Sequence, residues 1–129
     1  MVAVDTNVLV RYLVRDDAKQ AARAASLLQR TPIWIAKTVL LETEWVLRSL
    51  YGIAPGAREQ ALRALAGLRT VSLEDELAVA QALDWFRGGM DFADALHLAS
   101  AGNAQQFATF DQKLIRQAKR IVSLEIVSV

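Results

Sequence analysis

Val2-Ala3-Val4-Asp5-Thr6-Asn7-Val8-Leu9-Val10 sets a carboxylate, a hydroxyl and an amide between two apolar runs. The first run is short and rich in β-branched residues, as a buried strand would be. The second continues through Leu13 at a spacing compatible with a helix. The polar triplet therefore falls at a strand-to-helix junction. Asp5 is a favoured helix cap there, and that alone would account for it. In open α/β sheets, however, ligands bind beyond the carboxyl ends of the strands, so the same position is the first place to look for chemistry.

Outward from this junction the chain alternates short apolar runs with helical stretches. Asp16-Asp17 mark a helix start, and residues 18–29 are Ala-rich, with Ala21, Ala24, Ala25 and Leu28 at helical spacing. Pro32 punctuates, and Ile33-Trp34-Ile35 reads as a strand. A strong helix is expected over 37–51, stopped by Gly52 and Pro55, then another over 56–68 and a brief strand over 70–73. Residues 74–86 read as a helix with acids in its first turn, which the helix dipole favours, and Arg87-Gly88-Gly89 breaks it. Asp91 opens a helix to about Ala101, ended by Gly102-Asn103. Residues 107–110 and 124–127 are the last strands, with a Lys/Arg-rich helical stretch between them. This order predicts an α/β fold, a single domain over 1–129 with a parallel sheet between helices.

Composition narrows the function classes. At 129 residues, 53% of them apolar, the chain can bury a sizeable core and is not disordered. It has no cysteine, so disulfides and thiolate metal sites are excluded, in keeping with a reducing, cytoplasmic setting. Asp5 interrupts the N-terminal apolar run and no charged region precedes it, so no signal peptide is expected, and no stretch is long enough to span a membrane. The net charge of +1 gives no global steering toward nucleic acid, so any such binding must rest on local patches or metal ions.

Four carboxylates carry the functional signal. Asp111, after the apolar run Phe107-Ala108-Thr109-Phe110, repeats the strand-end position of Asp5. Glu42 falls within the apolar stripe Val39, Val46, Leu50, where a carboxylate is costly unless paired or bound to metal. Glu44 is expected to point elsewhere and pair with Arg48 on the exposed side. Asp91 is the expected cap of its helix, and Asp94, its N3 residue, shares a face with Leu98 and Ala101 that turns it inward. His97 stands alone, without a second His or Cys, and reads as a packing or surface residue. Carboxylates converging at one sheet edge would repel each other unless a cation were present. Oxygen donors of this kind suit Mg²⁺ or Mn²⁺ rather than Zn²⁺, the equipment of metal-assisted phosphodiester cleavage.

The segments VAVDTNVLVRYL, VLLETEWVL, DFADALHLA and ATFDQKL together resemble the PIN-domain nucleases, most closely the small VapC-type toxins of type II toxin–antitoxin systems, in the family's order and roughly its spacing. The resemblance implies a three-layer α/β/α sandwich with a central parallel sheet and a Mg²⁺- or Mn²⁺-dependent endoribonuclease. It also implies a homodimer and a cognate antitoxin whose tail fills the acidic site. Carried onto this chain, it makes Asp5, Glu42, Asp94 and Asp111 the catalytic and metal-binding set, with Thr6, Asn7, Asp91 and Thr109 in support. Arg11, Arg15, Lys113 and Arg116 are candidates for RNA-phosphate contacts. Trp45, Leu47 and Tyr51 are candidates for a dimer or antitoxin surface. Two other classes compete. A metal-dependent phosphotransfer or phosphatase-type domain wants a second Asp two residues after the first, where this chain has Asn7. A non-catalytic interaction protein of the same fold would have no need of the intact acids.

Overall fold

A computed structural model describes residues 1–129, which divide into two compact units, Met1–Glu76 and Leu77–Val129. In the first unit, β1 (Val2–Ala3), β2 (Ile33–Ile35) and β3 (Val71–Leu73) form a parallel sheet in that order. Val2 lies opposite Ile33, and Ile33 opposite Val71. Four helices accompany these strands: α1 (Thr6–Val14), α2 (Ala18–Arg30), α3 (Lys37–Ser49) and α4 (Pro55–Ala66). Ile33 and Ile35 are wholly buried, as are Leu9, Leu28, Leu47 and Leu65 from the four helices. Parallel strands buried on both faces need β-branched and aliphatic residues without alternation, and Ile33-Trp34-Ile35 meets that need.

The second unit contains α5 (Glu76–Arg87, from Leu77 onward), α6 (Phe92–Ala99), β4 (Gln106–Thr109), α7 (Gln112–Lys119) and β5 (Glu125–Ser128). Its strands β4 and β5 are parallel, with Gln106 opposite Glu125 and Thr109 opposite Ser128. Phe86 and Phe92 pack at 5.5 Å between ring centroids in a tilted pair, joining the end of α5 to the start of α6. The strands are thus parallel throughout, as expected, and they pair as one set of three and one set of two. No helix is long and apolar enough to cross a membrane.

Three local expectations need correction. Pro55 does not stop α3 but opens α4, at a position where its missing N–H costs nothing. The stop for α3 is Gly52, whose φ of +61° lets Gly52 and Ile53 donate back to the carbonyls of Arg48 and Leu47. Glu74 does not begin α5, which starts at Glu76. Its carboxylate instead accepts from the Lys37 amide at 2.9 Å, serving the start of α3, where Ala36 supplies no side-chain cap.

The third correction concerns the face of α3. Its buried residues are Leu40, Thr43, Glu44 and Leu47, so Glu44 and not Glu42 lies in the apolar interior. Glu44 accepts from Arg58 Nε of α4 at 2.9 Å, with Arg48 farther away at 3.9 Å, and its side chain is only 2% exposed. The expected pair with Arg48 one turn on is present, but Glu44 is buried rather than exposed, and the shorter contact from Arg58 of the neighbouring helix does most to offset the cost of burying its charge. Leu47 is likewise wholly buried and cannot belong to a docking surface. Tyr51 is half-buried and committed through its hydroxyl to Asp16 at 2.9 Å, whereas Trp45 and Leu50 are exposed.

Candidate active site

Asp5 follows β1 and caps α1: its backbone is extended, and its Oδ1 accepts from the Val8 amide at 3.2 Å. The cap leaves its second oxygen outside that bond, and the side chain is exposed. Thr6 is buried, and its hydroxyl donates to Glu42 Oε1. Glu42 itself is exposed, on the flank of α3 beside the half-buried Val46. Asp5, Thr6, Asn7 and Glu42 all line one open cavity of about 360 Å³, with Arg11 and Tyr51 on its wall. The strand-to-helix junction and the α3 glutamate are therefore brought to the same place. Thr6 links them from below the surface.

In the second unit the acids occupy helix starts. Asp91 caps α6 by accepting from the Asp94 amide at 3.1 Å, and Asp111 caps α7 by accepting from the Leu114 amide at 3.1 Å. Thr109 accepts from the Asp111 amide at 3.0 Å, which fixes the turn out of β4. Asp94 is half-buried in the first turn of α6. Partial desolvation, and then the neighbouring charges of Asp91 and Asp111, push its carboxyl above the ordinary aspartate value, with His97 opposing. Asp94 is thus within electrostatic reach of both neighbouring acids. His97 is exposed.

No three Asp, Glu or His side chains gather into a group that could hold a metal ion by themselves. The structure brings Asp5 to Glu42 in one unit, and Asp94 to Asp91 and Asp111 within electrostatic reach in the other. An all-oxygen donor pair such as Asp5 and Glu42 still fits a Mg²⁺-like cation, which keeps several of its waters and takes only one or two carboxylates from a protein.

The expected phosphate contacts differ among themselves. Arg11 is half-buried, and its guanidinium is engaged by Asp16 at 3.0 Å. Arg15 lies with its guanidinium 5.2 Å from the Tyr12 ring centroid, in a left-handed backbone conformation that ends α1. Lys113 and Arg116 are exposed on α7. Two polar residues that sequence reasoning passed over, Gln20 and Arg23, line a second cavity that also reaches Asp5. Their only signal was a helical spacing shared with Ala24 and Leu27, in a stretch otherwise read as an ordinary Ala-rich helix.

Parallel strands flanked by helices, with an aspartate fixed at the end of β1, define the class to which known proteins can be compared. The PIN domain model matches residues 2–120, a span that takes in most of both units, and the chain belongs to the PIN-domain family. Among solved structures it is similar to VapC20 of Mycobacterium tuberculosis, described as a sarcin-ricin loop cleaving toxin, at 23% identity and a TM-score of 0.42. That match covers 90% of this chain and 94% of the other. No curated protein matches.

Proposed function

We propose that this chain is a Mg²⁺- or Mn²⁺-dependent endoribonuclease acting as the toxin of a type II toxin–antitoxin pair. The observation that carries this reading is the cavity shared by Asp5 and Glu42, with the Thr6 hydroxyl supporting the glutamate from the interior. A strand-end carboxylate on a rigid junction and a helix carboxylate steadied by a buried hydroxyl form a preorganised oxygen-donor pair. Asp5 and Glu42 would hold the cation. Asp94 and Asp111 are assigned to the same catalytic set on the order of the four motifs.

A bound divalent ion supplies a more acidic water and compensates charge on the attacked phosphate. The chain's own contribution is positional. The Val8 amide fixes one oxygen of Asp5, the Thr6 hydroxyl fixes Glu42, and the Asp111 carboxylate is set by its cap and by Thr109. Asn7, exposed in the same cavity, is available to orient Asp5 or a substrate oxygen. The corresponding assembly is a cytoplasmic homodimer inhibited by a cognate antitoxin.

Asp5→Asn provides the direct test, because asparagine also caps helices and the fold should survive. RNA ends are sequenced after expression of wild type and variant, and Mn²⁺ affinity is measured by calorimetry. The wild type is expected to leave new RNA ends, and the variant to lose both cleavage and most Mn²⁺ binding. Equal cleavage and equal Mn²⁺ affinity in the two proteins would overturn the assignment.

A further inference from the structure

A cavity of about 400 Å³ lies between α1 and α2, with Asp5 at its border, apart from the one that Asp5 shares with Glu42. This volume lies in the range of small-ligand pockets, about 300–1,000 Å³. From α2 it is lined by Gln20, Arg23, Ala24 and Leu27, which recur at i, i+3, i+4 and i+7 and so share one helix face. Val8 and Arg11 supply the α1 side. The lining thus combines apolar surface (Val8, Ala24, Leu27) with polar groups able to read an edge. The side chains of Asn7, Gln20 and Arg23 have no hydrogen-bond or ion-pair partner within the protein, whereas Arg11 is held by Asp16. An apolar wall, a free guanidinium and a free amide beside Asp5, the carboxylate assigned above to the cation, are the kinds of group that bind an unstacked base.

We propose that this α1–α2 cavity is a base-binding subsite, in which the nucleobase next to the scissile phosphate lies against Val8, Ala24 and Leu27 while Arg23 and Gln20 hydrogen-bond its edge. The inference rests on the ribonuclease reading and adds to it a choice of sequence. Single-stranded RNA is read in this way, by splaying a base and bonding its exposed edges. Arg23 carries donors only, and paired donors match the O6 and N7 acceptors of guanine. Guanine is therefore the preferred base. The guanidinium also places positive charge beside Asp5, where the substrate backbone must approach an acidic site.

The test uses the intact protein and two readouts. Without added metal, GMP, AMP, CMP and UMP are titrated separately and amide shifts are followed by NMR. GMP is expected to bind at least roughly fivefold more tightly than the other three, the discrimination typical of a good bidentate contact, and to move the amides of Val8, Ala24 and Leu27. Arg23→Ala and Gln20→Ala alter exposed side chains and should fold, and each is expected to erase that preference. In the second readout, RNA-end sequencing should show guanine at a fixed position beside the wild-type cut, and no enrichment in Arg23→Ala. If the wild type cuts RNA, Asp5→Asn does not, and Arg23→Ala keeps the same base ranking, the subsite is wrong while the nuclease reading stands. If the wild type cuts no RNA, the nuclease reading falls. Shifts confined to residues outside α1 and α2 would overturn the subsite in either case.

Discussion

At the scale of single residues, the candidate site depends on groups that hold other groups. Thr6 is the clearest: its side chain is largely buried, and its hydroxyl donates to Glu42. Thr6→Val keeps the shape and removes the donor. Second partners of this kind typically carry a 10–100-fold effect on metal affinity or activity, so a loss of roughly 10-fold in kcat is expected, with little change in Tm. Steady-state cleavage of a labelled RNA with a parallel thermal melt checks it. Asp16 offers a separate handle on pH. The Tyr51 hydroxyl, and then the Arg11 charge, hold its carboxyl below the ordinary aspartate value of 3.8 against partial desolvation. A depressed acid stabilises the fold above its unfolded pKa and loses that contribution as pH falls through its folded value. Tyr51→Phe should therefore raise the Asp16 pKa in a carbon-detected NMR titration and flatten the loss of Tm below about pH 3.8.

At the scale of elements, α3 and α4 are tied by a buried charge rather than by apolar packing alone. Glu44 is 2% exposed and Arg58 10% exposed at the side chain, and Arg58 also donates to the Ile53 carbonyl. Removing one partner of a buried pair typically costs about 3–5 kcal/mol, and here Glu44 would keep the more distant Arg48, which sets the expectation at the low end. Arg58→Ala should lower stability by roughly 3 kcal/mol in urea unfolding, while the double variant Glu44→Leu/Arg58→Leu should recover much of it. The same two helices show why the sequence misled. Val39 and Val46 are seven residues apart, and so are Leu40 and Leu47, so two neighbouring stripes fit a helical period equally well. The residue that decides between them, Arg58, lies 14 positions beyond Glu44 on another helix. The helix starts after Asp17, Asp91 and Asp111 were easier to foresee, because these residues cap from within their own segments.

At the scale of the whole molecule, the acids are distributed between two units, and no group of three forms a closed metal cage. The cation assigned to Asp5 and Glu42 is in that case a catalytic requirement and not a structural staple. Chelation with EDTA should abolish RNA cleavage and leave Tm within about 2 °C, since only a structural site makes metal-binding energy into folding energy. Differential scanning fluorimetry beside a cleavage assay checks both halves. The net charge of +1 adds that RNA affinity should depend on a few local cations, with a shallow dependence on salt.

The sequence by itself determined the order of elements, the parallel character of the strands and the placing of Asp5 and Asp111 at strand ends. Each of these follows from short-range preference: β-branched runs, helical spacing, and carboxylates that cap the next helix. VAVDTNVLV was legible for that reason, as was the family it points to. Tertiary structure alone decided which face of α3 is buried, which glutamate is neutralised by Arg58, and which is left open beside Asp5. It alone also set Gln20 and Arg23 of α2 against Val8 of α1 around one cavity. Those outcomes depend on charges and surfaces supplied by another helix, and no periodicity within a single segment encodes them.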